Sequence, residues 1–305
     1  MRIFITLICG LVINFTWTQL QDDFSSNATF PNSWGGQTAD FQIQNESLQL
    51  SAAFAGNSTI YLAPSFFYYS ETEIRLKIDL SFSPSGNNRL NLFIFSDSVN
   101  VLNAQNAFYI QFGESGSNDA VSLRGIFDGQ DLELIRGLDG RISSSFELDL
   151  KLIWSDSLIQ AELWNSSSNS YETEWTYVDT NNRVPNILSL NCKYTSSNTN
   201  NFAFDDLYLG PIEYDTIPPR ITGIETIDGT NIRVYFNEPI DTSNFNLNEI
   251  DLNNPIQQEP IHYLYENAIL DLTFPQTFSN AIWSTIHFDA LADVEGNSIV
   301  LDTTF

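Results

Sequence analysis

Apolar and polar side chains alternate with a period of two through most of the chain. Ile74, Leu76, Ile78, Leu80 and Phe82 fall on one face of a stretch whose other face carries Arg75, Lys77, Asp79 and Ser81. Phe146, Leu148, Leu150, Leu152 and Trp154 repeat the pattern against Glu147, Asp149 and Lys151. Period two is the signature of a strand with one buried face. Further strands are expected at Leu90–Phe95, Phe108–Phe112, Ala120–Phe127, Leu158–Trp164, Trp175–Val178, Ile187–Tyr194 and Phe202–Leu209. The breaks between them, SPSGNN, GESGSND, FDGQD and NSSSNS, are rich in turn residues. The last of these predicts a hairpin over LIQAELWNSSSNSYETEWTYV. No long helical period interrupts the series. The chain is therefore expected to be all-β, and so many hairpin-linked strands before residue 211 predict a two-sheet sandwich or jelly roll.

The segment NFAFDDLYLGPIEYDTIPP, Asn201–Pro219, reads as the closing strand of that sandwich followed by a linker stiffened at Pro218-Pro219. A second unit follows. Arg220–Ile227 and Asn231–Phe236 are strands around an Asp228-Gly229 turn. At the other end, Arg2 precedes the apolar run IFITLICGLVINF, which is too short to span a bilayer and reads as a secretory signal. Cys9 lacks the preceding small residue of a lipoprotein signal. The expected organisation is a signal peptide over 1–20, a first domain over 21–211 and a second over 212–305. The mature protein is expected to be secreted or associated with the cell surface, and not membrane-spanning. Signal removal leaves Cys192, alternating with Leu188, Leu190 and Tyr194, as a buried core residue without a disulfide partner.

Charge narrows the function classes. With 12 Lys+Arg against 38 Asp+Glu among 305 residues, the formal charge is −26. Such a surface repels phosphate backbones and excludes nucleic acid as a natural partner, while it suits divalent cations. Catalytic sets are missing. Glu147 and Asp149 form an E-x-D pair on one strand face, but the third acid of an E-x-D-x-x-E glycosidase strand is replaced by Leu152. The two histidines, His262 and His287, both lie in the second unit among alternating apolar residues and read as structural. No G-x-S-x-G elbow, P-loop or dinucleotide fingerprint occurs. A non-enzymatic protein is expected.

Several stretches carry a family resemblance. QDDF at Gln21–Phe24, TADFQI at Thr38–Ile43, the hairpin above and CKYTSSNTNNFAFDDLYLGP resemble secreted modules of Bacteroidetes-type bacteria with a concanavalin A-like or laminin-G-like jelly roll. The second unit resembles the bacterial Ig-like domain of S-layer and surface proteins. Its VYFNEPID motif runs from Val234 to Asp241, with Asn237 where Ser or Thr is usual, and ADVEGN at Ala292–Asn297 resembles the family's closing turn. The resemblance implies a jelly-roll sandwich followed by a smaller Ig-like sandwich in a Gram-negative bacterium.

It also implies that the first and last strands of the jelly roll pair. Asp22 and Asp23 would then lie near Asp205 and Asp206. Strict alternation groups Asp205 with Ala203, Leu207 and Leu209, and Asp206 with Phe202, Phe204 and Tyr208, so one carboxylate would face the core or a sheet edge. Either a Ca²⁺ ion with oxygen ligands or hydrogen bonds from loop amides would satisfy it. In the second unit, Glu238 and Asp241 could ligate a cation or organise a turn. A lectin-like site would stack a sugar on an exposed ring, and Trp34, Trp164 and Tyr171 are the candidates. The expected function is binding of a glycan or cell-surface polymer, or adhesion, with the second unit as a spacer. Passive structural modules and an accessory part of an extracellular hydrolase are the alternatives.

Overall fold

The computed structural model describes residues 19–25, 33–62, 71–243 and 245–305. Most of the expected signal peptide, with Cys9, lies outside them. Leu20, its last expected residue, already pairs with Leu209 in a sheet.

The fold is all-β: a jelly-roll-type sandwich followed by a smaller sandwich. In the first, the eight-stranded sheet runs in the order Ser170–Val178, Leu158–Asn165, Phe146–Ser155, Glu71–Leu80, Phe202–Gly210, Ser47–Leu50, Phe41–Gln44. The short Leu20–Asp22 strand pairs with Phe202–Gly210 off this path. The facing seven-stranded sheet runs Gln130–Arg136, Val121–Phe127, Ala107–Phe112, Arg89–Ser96, Leu188–Tyr194, Gly56–Leu62, Trp34–Gly36. The apolar positions of the alternating strands meet between the sheets. Ile78, Leu80, Leu92, Phe108, Leu150, Trp154 and Phe202 belong to one continuous core. Trp175 reaches across, its Nε1 donating to the Val121 carbonyl at 3.1 Å. The expected hairpin pairs Leu158 with Val178 through Asn165 with Ser170. Cys192 is fully buried, and burial pushes its thiol well above the usual range.

The second sandwich joins two four-stranded sheets, Ile221–Thr226, Asn231–Phe236, Ile269–Thr273, His262–Glu266 and Ile256–Gln258, Ile250–Asn254, Thr285–Ala292, Ser298–Thr304. Its core of Ile232, Val234, Leu252, Leu272, Ile286 and Phe288 is separate from the first. The Asp228-Gly229 turn forms as its chemistry dictates: Asp228 Oδ1 accepts from Thr230 N at 2.8 Å and Asn231 N at 2.9 Å. No helix among the described residues is long and apolar enough to cross a membrane.

One local feature changes the reading of Asp205 and Asp206. Strict alternation fails on the Phe202–Gly210 strand, because Asp206 adopts φ +48 and the register against Glu71–Leu80 shifts between Asp205 and Tyr208. This is a β-bulge, an extra residue that resets the parity. Phe202, Phe204, Leu207 and Leu209 all enter the core. Neither aspartate does. The expectation that one of them points inward is therefore corrected.

Candidate functional site

The bulge lies beside a cleft of about 240 Å³ on the outer face of the eight-stranded sheet, lined by Gln21, Asp22, Asp23, Arg75, Lys77, Asp149, Tyr171, Asp206 and Tyr208. Outward positions of neighbouring strands supply most of it. Lys77 is the register partner of both Asp149 and Asp205, and Arg75 is the partner of Lys151 and Tyr208. The same alternation that fills the core with leucine and isoleucine thus stacks charges of both signs on the outside.

The cations are held by glutamates around the cleft. Lys77 Nζ lies 2.7 Å from Glu147 Oε1, and this contact raises the Lys77 pKa. Arg75 Nε is 3.1 Å from Oε1 of Glu73, whose side chain is 1% exposed, and the guanidinium also pairs with Glu213 beyond the last strand. Glu213 in turn donates its backbone N–H to Glu73 Oε2 at 3.1 Å. Burial raises the Glu73 pKa. The Arg75 guanidinium sits 4.3 Å from the centre of the Tyr208 ring. Lys151 Nζ lies 5.4 Å from the centre of the Tyr171 ring. These are cation–π distances.

The acids behave differently from one another. Asp22 Oδ1 accepts from Phe24 N at 2.9 Å. Asp23 Oδ1 accepts from Ser25 Oγ at 2.7 Å and Ser25 N at 3.1 Å, and these bonds lower its pKa. Asp205 Oδ1 accepts from Asp206 N at 2.8 Å; burial raises its carboxyl, with Asp206 adding to the rise. Asp149 accepts no hydrogen bond from a described residue. Burial raises its pKa, Lys77 opposes the rise, and Asp206 and Glu147 add to it. The tyrosines are pushed up to about 12, in each case mainly by burial.

The rings expected to meet a sugar are divided by the fold. Trp164 and Tyr171 face each other across the hairpin, 5.2 Å between centroids at 73°. Trp164 is 39% exposed, and Tyr171 lines the cleft. Trp34 is not available to a ligand. It pairs opposite Leu62 and is 7% exposed within the core, so its candidacy is corrected: the NSWGGQ segment is a short edge strand and its indole is packing.

Of the four aspartates expected to hold a cation, Asp22, Asp23 and Asp206 line the cleft and Asp205 does not. Among the described residues, a convergent set of ligand atoms occurs instead at Asp215, Glu238 and Asp293, within 4.8 Å of one another. Backbone and hydroxyl donors hold one oxygen each of Asp22, Asp23 and Asp205, and Lys77 is the register partner of Asp205. The second cluster ties the linker to the closing turn. Asp293, 1% exposed, accepts from Asn297 N at 2.7 Å and Nδ2 at 2.8 Å, and the same Nδ2 donates to the Asp215 carbonyl at 2.9 Å. Burial raises the Glu238 pKa, and Asp215 and Asp293 add to the rise. Asp241 is a turn organiser: its Oδ1 accepts from Ser243 N at 2.8 Å. His287 is bracketed by Asp302 at 2.6 Å and Asp289 at 2.7 Å, whereas His262 is exposed rather than structural.

Arg75, Lys77 and Tyr208 were not expected at a site, and Asp149 entered only as half of an incomplete E-x-D pair. The signal was present: outward Arg75 and Lys77 on one strand and outward Glu147 and Asp149 on another are complementary, as adjacent strands require.

No family model matches the chain, and no curated protein matches it. Solved structures resemble it at low identity. The carbohydrate recognition domain of Emp47p aligns at TM-score 0.47 and 13% identity, over 64% of this chain and 95% of that one. A structure reported with endo-acting O-glycanases of the human gut microbiota aligns at TM-score 0.48 and 8% identity, over 64% and 99%. The Ca²⁺-bound exoplasmic/lumenal domain of VIP36 aligns at TM-score 0.45 and 11% identity, over 65% and 92%.

Proposed function

We propose that the first sandwich is a non-enzymatic carbohydrate-binding module of an exported, surface-associated protein, and that the second, Ig-like in our reading, is its spacer. The observation that carries this is the cleft itself. It joins one ring of the partly exposed Trp164–Tyr171 pair to a floor of carboxylates and cations. Sugars need that combination: apolar C–H faces stack on rings, and hydroxyls take both donors and acceptors. Its volume is below the ~300–1,000 Å³ of drug-sized pockets and suits a single sugar residue rather than a buried oligomer. Glycan-array screening of the full chain, followed by titration of Trp164→Ala and Tyr171→Ala, tests the reading. Selective binding lost in both variants supports it; a blank array overturns it.

A second proposal concerns the cation expected from the sequence. We assign Ca²⁺ to Asp215, Glu238 and Asp293, three oxygen-bearing groups of the hard-ligand type that calcium prefers. Bound there, it would offset the burial and the lesser repulsion from Asp215 and Asp293 that raise Glu238, and would fasten the linker to the second sandwich. A melting temperature unaffected by EDTA and by added Ca²⁺ removes this assignment.

A further inference from the structure

The second sandwich has a cavity of its own, of about 340 Å³, between the strand Ile250–Asn254, the loop from Phe278 to Ser284, and Phe305. The loop is tied at both ends. Phe278 N donates to the Gly229 carbonyl at 2.7 Å, and Ser284 and Phe305 exchange backbone hydrogen bonds at 3.0 and 2.9 Å. The polar lining comes from Thr226, Asn254, Ser279, Asn280 and Ser284, and the rings of Phe278 and Phe305 supply apolar surface. No charged side chain lines it, although the chain has a formal charge of −26. That separates it from the cleft on the first sandwich, where charges of both signs meet.

A second observation points to a ligand. Two polar side chains of the lining are more than nine-tenths buried, Asn254 at 8% exposed and Ser284 at 3%. Asn254 Oδ1 accepts from Ser279 N at 2.7 Å, which fixes the orientation of the amide. Its Nδ2 therefore faces Ser284 and donates to Oγ. With its oxygen engaged as acceptor, the Ser284 hydroxyl keeps a proton that meets no acceptor among the described residues, and so does the other N–H of Asn254. Buried donors carry the cost of a lost hydrogen bond until an oxygen meets them. The exposed Asn280 amide, which lines the same cavity, also makes no hydrogen bond to a described residue.

We propose that the second sandwich is itself a binding module and not only a spacer, and that this cavity takes one residue of an uncharged sugar. Hydroxyl oxygens of the sugar accept from Ser284 and Asn254, and its C–H face lies against Phe278 and Phe305. The charge pattern selects the class. An anion is repelled by the field of the whole chain, and a cation finds no carboxylate side chain in the lining. A neutral, oxygen-rich ring answers both the free donors and the aromatic surface. Trp283, 80% exposed between the lining residues Ile282 and Ser284, adjoins the site in the chain and reports on it. The site is separate from the cleft and does not rest on the reading given to that cleft.

The test is a nuclear magnetic resonance titration of the full chain that follows the indole N–H peaks of Trp283 and Trp164, assigned with Trp283→Phe and Trp164→Phe. The probes are oligomers of glucose, galactose and xylose, and glucosamine and uronate oligomers of equal length, at 50 mM and 500 mM salt. Neutral oligomers are expected to move the Trp283 peak with an affinity that salt leaves unchanged, since no charged side chain takes part. The charged oligomers are expected to bind about tenfold more weakly or worse. Ser284→Ala, checked by its melting temperature, is expected to weaken the Trp283 response about tenfold, the worth of one hydrogen bond. Asn280→Ala, at an exposed position, should weaken it severalfold and keeps the test open if the buried Ser284→Ala variant fails to fold. Tyr171→Ala in the cleft should leave the response as it is. Neutral oligomers that move the Trp164 peak and not the Trp283 peak overturn this site and leave the cleft reading standing. Movement of neither peak overturns both readings. Equal or tighter binding of a charged oligomer at the Trp283 site overturns the neutral class, and a Trp283 peak that moves with protein concentration alone overturns the proposal in favour of contact between copies of the chain.

Discussion

Deleting Asp206 should leave the core of the first sandwich intact, whereas Asp206→Val should damage it. The bulge at this residue lets two apolar pairs, Phe202 with Phe204 and Leu207 with Leu209, face the same core although the spacing from Phe204 to Leu207 is odd. Without Asp206 that spacing becomes even, and strict alternation by itself sends all four side chains inward. All four are at most 1% exposed. A β-branched residue at position 206 keeps the residue count but resists the φ of +48 that forms the bulge, at a cost of about 1–3 kcal/mol. The strand cannot escape that strain by flattening, because one pair would then turn outward. If the leucines left, two fully buried side chains at about 1.5–3 kcal/mol each would be lost, so about 3–6 kcal/mol in all. The control is Asp206→Gly, which keeps the residue count and relieves the positive φ; it should stay within about 1 kcal/mol of the parent. Urea denaturation followed by intrinsic fluorescence reads all three variants. A deletion variant that no longer unfolds cooperatively refutes the parity argument, as does an Asp206→Val variant with the parent's midpoint.

Three further predictions follow from the electrostatics. Asp149→Asn should stabilise the protein at pH 7 by less than about 1 kcal/mol, since the site is only partly buried and solvent screens it. Its raised folded-state pKa means that the folded state holds the proton more tightly, so the gain should vanish as pH falls below the ordinary aspartate value of 3.8, as melts from pH 3 to 7 will show. His287 has the opposite sense. Asp289 and Asp302 raise its pKa, so its stabilising contribution is full below 6.5 and is lost as pH rises through the folded value; His287→Gln should lower the melting temperature at pH 5.5, by a few tenths of a kcal/mol at this exposed site, and leave it unchanged at pH 8.5. Glu238→Gln should abolish any rise in melting temperature produced by Ca²⁺, whereas Asp205→Asn should leave that rise intact.

The sequence shows the strands plainly because each core-facing run, such as Ile74 to Leu80, alternates against charged neighbours. It shows short edge strands poorly. Trp34–Gly36 is three residues long and offers no periodicity to count, so its tryptophan looks like a loop residue free to bind. The bulge was legible in principle, since FAFDDLYL places its two apolar pairs out of phase, but alternation applied without a break sends an aspartate inward. Two site features depended on register and could not be read from one strand. Lys77 meets Asp149 only because Glu71–Leu80 and Phe146–Ser155 are neighbours. Asp215, Glu238 and Asp293 come together from the linker, the end of the second strand and the closing turn of the second sandwich, and only the middle one was read as a possible cation ligand.

The most direct test of the carbohydrate-binding account is a crystal structure of the full chain soaked with the tightest-binding oligosaccharide. The account predicts a sugar residue in the cleft, its ring against Tyr171 and its polar groups within hydrogen-bond distance of Asp149 or Asp206. A sugar seated on the outer face of the seven-stranded sheet, with the cleft empty, would contradict it.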